Sequence, residues 1–433
     1  MASSYDVVVI GAGFAGAIAA RDLGTRGYSV LLLEGRDRVG GRTYTGEAFG
    51  RPIEFGGTYL HWTSPNVWRE LQHYGLKLDF PHHIDTVHWL ADGRVHHGSA
   101  EEFGQAAASV MARVAADARQ WFPAPFEVNA VDTSPIEQQT MAQRFDSSGL
   151  SRYERDVVEG VLASLSHSYD EQGVAQLLLL VAAYCGDWAG YFESIGSWPV
   201  EGGIKQLYDG LICESGAEVR LSTPVAAVQD NGISVTVTTR AGERIDARTA
   251  VVALPLNTLG DIAFTPDVPL ASRTMIDQKN PVLASKIWVR AKGEIEPFQT
   301  VAPIGQNPIN VARFDSYHDG DTLIMCLCSD ASAIDADDHE GVQRALRVFV
   351  PDIEVVDTAS HNWGADEFSK GGWIWHRPGN LTGGAAQLRA VSGRVRFAGS
   401  DIAGLGAGGV EGALETGAAA AREVAGVLAD GSY

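Results

Sequence analysis

Basic residues are scarce in this chain. In 433 residues, 33 Lys and Arg stand against 54 Asp and Glu, a formal net charge of −21. No Lys/Arg run offers a face to a phosphate backbone, which counts against a sequence-independent grip on nucleic acid and against docking on an anionic membrane. The acidity reads as a solubility feature. Cysteine is rarer still, with only Cys185, Cys213, Cys326 and Cys328, whose spacing fits no zinc pattern. Cys326 and Cys328 lie in the apolar run Leu323 to Cys328. In a strand they share one face, as small buried hydrophobes. Such usage fits a reducing compartment. Long apolar runs are also missing: Val174 to Cys185 is the longest candidate and is too short to cross a bilayer. Met1-Ala2-Ser3-Ser4 leads straight into a strand-like run, with no signal peptide. These absences predict a soluble, cytoplasmic protein. Hydrophobic residues make up 45% and charged residues 20%, so a large packed core is expected and a disordered chain is excluded. The length suits two or three domain-sized units, or two interleaved ones, and no low-complexity linker or internal repeat divides them.

The strongest local pattern lies in the first forty residues. Tyr5-Asp6-Val7-Val8-Val9-Ile10 is a β-branched run of the kind buried on both faces of a parallel sheet. It ends in Gly11-Ala12-Gly13-Phe14-Ala15-Gly16, followed by a helical stretch from Ala17 to Leu23. Gly24-Thr25-Arg26-Gly27 breaks the helix, and a second strand, Ser29 to Leu33, closes on Glu34. Gly11 permits the tight turn, Gly13 lets backbone approach a pyrophosphate, and Gly16 lets helix and strand pack closely. The helix N-terminus offers free N–H groups to the phosphates. Glu34 stands where a carboxylate accepts both hydroxyls of an adenosine ribose, and it disfavours the 2′-phosphate of NADP. A glycine triplet alone is weak. Strand, helix and distal acid together predict a dinucleotide site.

Glu34-Gly35-Arg36-Asp37-Arg38-Val39-Gly40-Gly41-Arg42-Thr43 adds a second glycine pair and three arginines, of which Arg36 and Arg42 matter here. With this segment the chain resembles the flavin-dependent amine oxidase family, the monoamine oxidase fold. The resemblance implies FAD held by Gly11, Gly13, Phe14, Ala15, Gly16, Glu34 and Gly35, with Arg36, Gly41 and Arg42 along the adenine–pyrophosphate region. Either arginine alone would read as a surface residue. In Phe55-Gly56-Gly57-Thr58-Tyr59-Leu60-His61-Trp62, the resemblance makes Gly56, Gly57 and Thr58 flavin contacts. It makes Tyr59, His61 and Trp62 pocket residues. His61-Trp62 is similar to the variant found in bacterial nicotine, 6-hydroxynicotine and pseudooxynicotine oxidases. Trp68 reads as core. His82, His83, His88, His96 and His97 fall between Pro81 and Ser99. Metal binding lacks a completing acid or cysteine, and a surface hairpin is the favoured account.

Residues from about Ala100 to Cys185 are rich in helix formers, matching a helical part of the family's substrate domain. Ser197 to Ile204 resembles the turn that returns the chain to the FAD domain. Ala217 to Leu221 reads as a strand, and Val225 matches the position whose backbone pairs with adenine. Ile233 to Thr238 alternates as a strand with one wet face. Thr249 to Leu256 reads as another buried strand. In Ala284-Ser285-Lys286-Ile287-Trp288-Val289, Lys286 interrupts an apolar strand. Read alone it is a strand-edge lysine reaching solvent. The resemblance makes it the lysine that hydrogen-bonds a water beside the flavin. Gly371 to Gly379 sits where relatives place an aromatic facing the flavin; Trp373 is the best match and Trp375 the alternative. The absence of a cysteine in this segment implies non-covalent FAD. Val395 to Asp401, then Gly408 to Gly417, reads as strand, glycine turn and helix. Here Gly399, Ser400, Asp401, Gly409 and Val410 are the implied cofactor contacts. Asp401 replaces the family's usual glutamate. Gly409 stands where many relatives carry a second cage aromatic, so Trp373 is left as one wall and the pocket beside the flavin is widened.

The expected architecture is α/β and α+β. A Rossmann-like FAD domain (1–75, 200–268 and 385–433) is interleaved with a substrate domain of mixed sheet and helices (76–199 and 269–384). The chain ends at Tyr433 after a short Ala-rich helix, with no membrane anchor expected. The implied reaction oxidises a C–N bond of a secondary, cyclic or aryl-alkyl amine to an imine that water hydrolyses. Lys286 and Trp373 flank the reacting atoms, and O2 or another acceptor takes the electrons. Two alternatives stay open: a flavin dehydrogenase or desaturase acting on a non-amine substrate, and a flavin-binding sensor or scaffold without turnover. A homodimer is compatible with the family.

Overall fold

The computed structural model describes residues 5–80, 82–194 and 198–429. Its first sheet has eight strands. In spatial order they are Ala263–Thr265, Val225–Asp230, Val235–Thr239, Arg244–Val252, Tyr5–Ile10, Val30–Leu33 and Glu218–Arg220, with Val395–Phe397 also paired to the end of Arg244–Val252. The strands meeting at the glycine turn are parallel: Val7 aligns with Val30 on one side and with Thr249 on the other. Successive residues of Tyr5–Ile10 feed opposite cores. Val7 and Val9 pack with the helices Phe14–Gly24, Lys205–Ser215 and Val410–Ala429. Val8 and Ile10 pack with Leu31, Leu33, Val228 and Met275. This double burial explains why the strand reads as an unbroken apolar run.

The second sheet has seven strands, in the order Val355–Ser360, Ser285–Ala291, Asp321–Cys328, Val311–His318, Phe298–Val301, Thr86–Ala91 and Arg94–Ser99. It is antiparallel except where Phe298–Val301 runs parallel to Thr86–Ala91. Cys326 and Cys328 share one face, in a core with Val342 and Leu346, and are wholly buried. Helices between Ala100 and Ser194 pack on Val87, Trp89, Val301 and Trp375 as a single apolar core. Among the described residues no single helix is long and apolar enough to cross a membrane. Val174–Ala183 and Trp188–Ser194 reach that length only as a pair bent by 85°.

Two sequence expectations need adjusting. The strand expected over Ile233 to Thr238 with one wet face is Val235–Thr239, and four of its five residues are buried. It lies between two other strands of the first sheet, and Thr236 donates its hydroxyl to Asp246 at 2.7 Å. The strand expected to run to Leu256 ends at Val252, because Pro255 opens the short helix Leu256–Leu259. The return turn begins with Ser197, which lies outside the described residues; from Trp198 it is tied to Leu60 and Leu78 by isolated bridges. The five histidines belong to the segment that ends in a hairpin. His88 and His97 face each other directly across the strands, and His96 stacks on Trp89.

Candidate active site

A cavity of about 830 Å³ runs from the glycine turn of the first sheet to the helices that cover the second. Gly11 has φ +101°, and a Cβ there would lie 2.5 Å from the Ala253 carbonyl. A Cβ on Gly16 would lie 1.8 Å from the Gly11 carbonyl, so the turn and its helix are in backbone contact. Gly13 and Gly41 face each other without side chains and leave bare backbone on the wall. The Glu34 carboxylate, 4% exposed, closes this turn. Ala12 N–H donates to its Oε2 at 2.8 Å and Arg36 N–H to its Oε1 at 3.0 Å. An ionised carboxylate has about four acceptor sites, so Glu34 keeps capacity for hydroxyls within the cavity.

Arg36 is held by Asp366 at 2.5 Å and by Ser369 at 2.7 Å, with the Phe368 ring beside its guanidinium. Burial pushes Asp366 upward, but His361 and Arg36 outweigh it and hold the carboxyl well below its usual range. Arg42 donates to the Gly372 carbonyl at 2.7 Å, to Ser400 at 3.0 Å and to Asp401 at 2.6 Å. Asp401 also accepts Leu256 N–H at 2.9 Å. These bonds join the second glycine pair, the Gly399 turn and the segment that carries Trp373.

Lys286 enters from the second sheet and is 8% exposed. Its Nζ donates to the Gly56 carbonyl and Thr58 Oγ1, both at 2.5 Å, and to the Glu54 carbonyl at 3.4 Å. Burial pulls its ammonium from the usual 10.5 down to about 8, opposed by Glu54 and Asp315. Tyr59 places its ring 5.7 Å from Nζ, and burial pushes that phenol well above its usual range.

Nearly every residue singled out from the sequence reaches this wall: Gly11, Gly13, Phe14, Ala15, Glu34, Gly35, Arg36, Gly41, Arg42, Gly56, Gly57, Thr58, Tyr59, His61, Val225, Lys286, Trp373, Trp375, Gly399, Ser400, Gly409 and Val410. Three do not. Gly16 lies beneath the turn. Asp401 is 2% exposed behind the wall, engaged by Arg42 and Leu256. Trp62 stands 50% exposed, away from the cavity, so its place among pocket residues is corrected. The two wall tryptophans are pinned by their indoles, Trp373 to the Leu165 carbonyl at 3.2 Å and Trp375 to the Gly173 carbonyl at 3.0 Å.

Sequence reasoning missed what holds the Trp373 segment. This segment has no regular structure, and buried side-chain amides take the place of a ladder. Asn280 donates to the Trp373 carbonyl at 2.7 Å and accepts Trp375 N–H at 3.3 Å. Asn257 binds Asn280 and the Lys370 carbonyl. Gln176 accepts His376 N–H at 2.9 Å and donates to the Ile374 carbonyl at 3.3 Å. Gln176 did leave a trace in the sequence, as the one polar residue in the apolar helix Val174–Ala183. Leu165, Leu180, Tyr184, Tyr191 and Leu327 also line the cavity.

A family profile described as "Flavin containing amine oxidoreductase" matches residues 14–425. Pseudooxynicotine dehydrogenase of a Pseudomonas species is 33% identical over 432 residues, covering 98% of this chain and 87% of that protein. Nicotine dehydrogenase of Pseudomonas putida is 34% identical over 428 residues, covering 97% and 88%. Among solved structures, cyclohexylamine oxidase from Brevibacterium oxydans superimposes with a TM-score of 0.83 over 99% of this chain and 100% of its own, at 21% identity. That likeness is one of fold.

Proposed function

The chain belongs to the flavin-containing amine oxidoreductase family, and we propose that it oxidises a secondary, cyclic or aryl-alkyl amine using non-covalently held FAD. The observation that carries this reading is the continuity of one cavity. It begins at the glycine turn and Glu34, and it continues past Lys286 to the indole of Trp373.

The residues present fit a flavin dinucleotide. The bare backbone at Gly13 and Gly41 would receive the pyrophosphate, since a Cβ at Gly41 would come within 3.2 Å of the Gly13 Cα, while Gly11 permits the turn that a Cβ would drive into the Ala253 carbonyl. Glu34 would take the ribose hydroxyls, and Val225 would lie along the adenine. Gly409 and Val410 open the helix Val410–Ala429, whose dipole favours the anionic edge of the isoalloxazine. The segment Gly371–Gly379 contains no cysteine, and Cys185, on the cavity wall, belongs to the turn after the helix Val174–Ala183. The absence of a cysteine from 371–379 supports non-covalent binding.

Bound flavin supplies the two-electron acceptor for converting an amine to an imine. The protein's own part is orientation and desolvation. Trp373, Leu165, Leu180 and Leu327 give the pocket an apolar wall, which favours the neutral amine over the ammonium form. Lys286 keeps a buried donor at this wall, and its proton is exchangeable near neutral pH. At Gly409, a Cβ would meet nothing nearer than the Gly406 carbonyl at 3.6 Å. That free volume suits a bulky or heteroaromatic substrate. Release of intact FAD into the supernatant on acid denaturation, with carbonyl products from a pyrrolidine or N-methylalkylamine panel, is the expected result. Colour retained by the pellet would refute non-covalent binding. A panel yielding no carbonyl product would refute the substrate assignment.

A further inference from the structure

Lys286 and Glu54 are two buried charges that lack an ion pair. Among the described residues, Lys286 Nζ donates to neutral oxygens, the Glu54 and Gly56 carbonyls and the Thr58 hydroxyl. Among the described residues no carboxylate lies within ion-pair distance of it. Glu54 ends the strand Arg51–Glu54 and is 9% exposed. Its Oε1 accepts Ile204 N–H at 2.9 Å and the Thr45 hydroxyl at 2.8 Å, while its Oε2 is buried without a partner. A buried ion without compensation is costly, and so is a buried carboxylate oxygen without a donor. The two groups share one backbone: the lysine is anchored on the main-chain carbonyl of the residue whose side chain is the unpaired acid.

Other groups around the pair are few. On Lys286 act Asp315, from the strand Val311–His318, and the Tyr59 ring. The flanking strands set the neutral Leu327 opposite Lys286 and Ser360 opposite Ile287. On Glu54 act Lys286 and, from the helix Lys205–Ser215, the Tyr208 phenol.

We propose that Glu54 is a positioning residue that acts through Lys286, its carboxylate, with Oε2 left without a donor, supplying the field that keeps the buried lysine charged at the cavity wall. The inference rests on the reading of Lys286 as the flavin-side lysine. Burial drives the lysine toward its neutral form, and Glu54 is the first influence opposing this, ahead of Asp315. Burial holds the Glu54 carboxyl above its usual range, opposed by the Ile204 amide, the Thr45 hydroxyl and then Lys286. Each charge therefore supports the other.

The test is a pH titration of the visible flavin spectrum of the holoenzyme between pH 6 and 10. Wild type should show a transition that Lys286→Met abolishes. Glu54→Gln keeps the shape and the Oε1 acceptor, and should move the transition toward acid by about one pH unit. Glu54→Asp should return most of it. A transition at the wild-type pH in Glu54→Gln overturns the inference and leaves Lys286 beside the flavin. A transition that persists in Lys286→Met overturns the flavin-side reading of Lys286, and this inference with it. A thermal-unfolding cycle gives a second readout that does not need bound flavin. Glu54→Gln should lower Tm in the wild-type background and lower it less, or not at all, beside Lys286→Met. Equal losses in both backgrounds refute the coupling.

Discussion

Replacing Lys286 by methionine should remove a pH dependence of stability whose size follows from the burial of one ammonium. The group titrates at about 8 in the fold, against 10.5 ordinarily, because burial outweighs the help of Glu54 and Asp315. That difference corresponds to a penalty of roughly 3 kcal/mol on the folded state at neutral pH. The sign follows from proton counting. Between pH 8 and 10.5 the folded chain has released this proton and the unfolded chain has not, so stability rises with pH across that window. The penalty is present in full well below pH 8 and is gone above 10.5. Methionine preserves the volume and leaves neither carbonyl orphaned. Gly56 still accepts the Thr58 hydroxyl at 3.0 Å, and Glu54 still accepts the Trp288 indole at 2.9 Å. Guanidinium unfolding of both proteins at pH 7 and pH 9.5, at one flavin concentration, isolates the term. Wild type should gain roughly 2 kcal/mol over the variant between the two pH values. Parallel pH curves for the two proteins would refute the assignment of a buried, titrating lysine.

Glu34→Ala should weaken FAD binding about ten- to a hundred-fold for each charged hydrogen bond lost, at roughly 1.5–3 kcal/mol per bond, read by flavin fluorescence titration. An unchanged Kd would remove Glu34 from the ribose site. Gly409→Tyr should leave Tm within a degree or so and abolish turnover of bulky amines while sparing slender ones, since a Cβ there is accommodated without a clash. Equal loss on both classes would show that Gly409 does not set pocket width. Asn280→Ala should cost roughly 1–3 kcal/mol in denaturant unfolding, because the buried Trp373 carbonyl loses its donor at 2.7 Å. It should also raise KM by releasing the indole wall, and an unaltered KM would argue that the segment holds its shape without the amide.

What was legible in the sequence depended on how locally each feature is determined. The leading strand, glycine turn and helix lie in one stretch of chain, and double burial writes itself as a run of Val and Ile. Gly16 could be read from its packing role because the partner, Gly11, is five residues away. The strand Val235–Thr239 departs from its sequence pattern for the opposite reason. Its threonines look like a solvent face, but Thr236 is buried against Asp246 of the neighbouring strand. Trp62 follows His61 directly, and nothing local says that one side chain turns to the cavity and the next to solvent. The supports of Trp373 were invisible because they bridge long separations. Gln176 reaches His376, and Arg42 reaches Asp401, across spans over which no periodicity carries information. Asp401 follows the same logic: as an acid it suggests a ligand hydroxyl, while in the fold Arg42 and the Leu256 amide occupy it.

The most direct test of the account is an anaerobic titration of the yellow holoprotein with graded amines: cyclic secondary, aryl-alkyl, and linear diamines. The predicted result is stoichiometric bleaching of the flavin by cyclic or aryl-alkyl amines, sharpening as pH rises and the neutral amine becomes abundant. Bleaching by a nitrogen-free analogue of the same skeleton, with no response to any amine, would contradict the central claim.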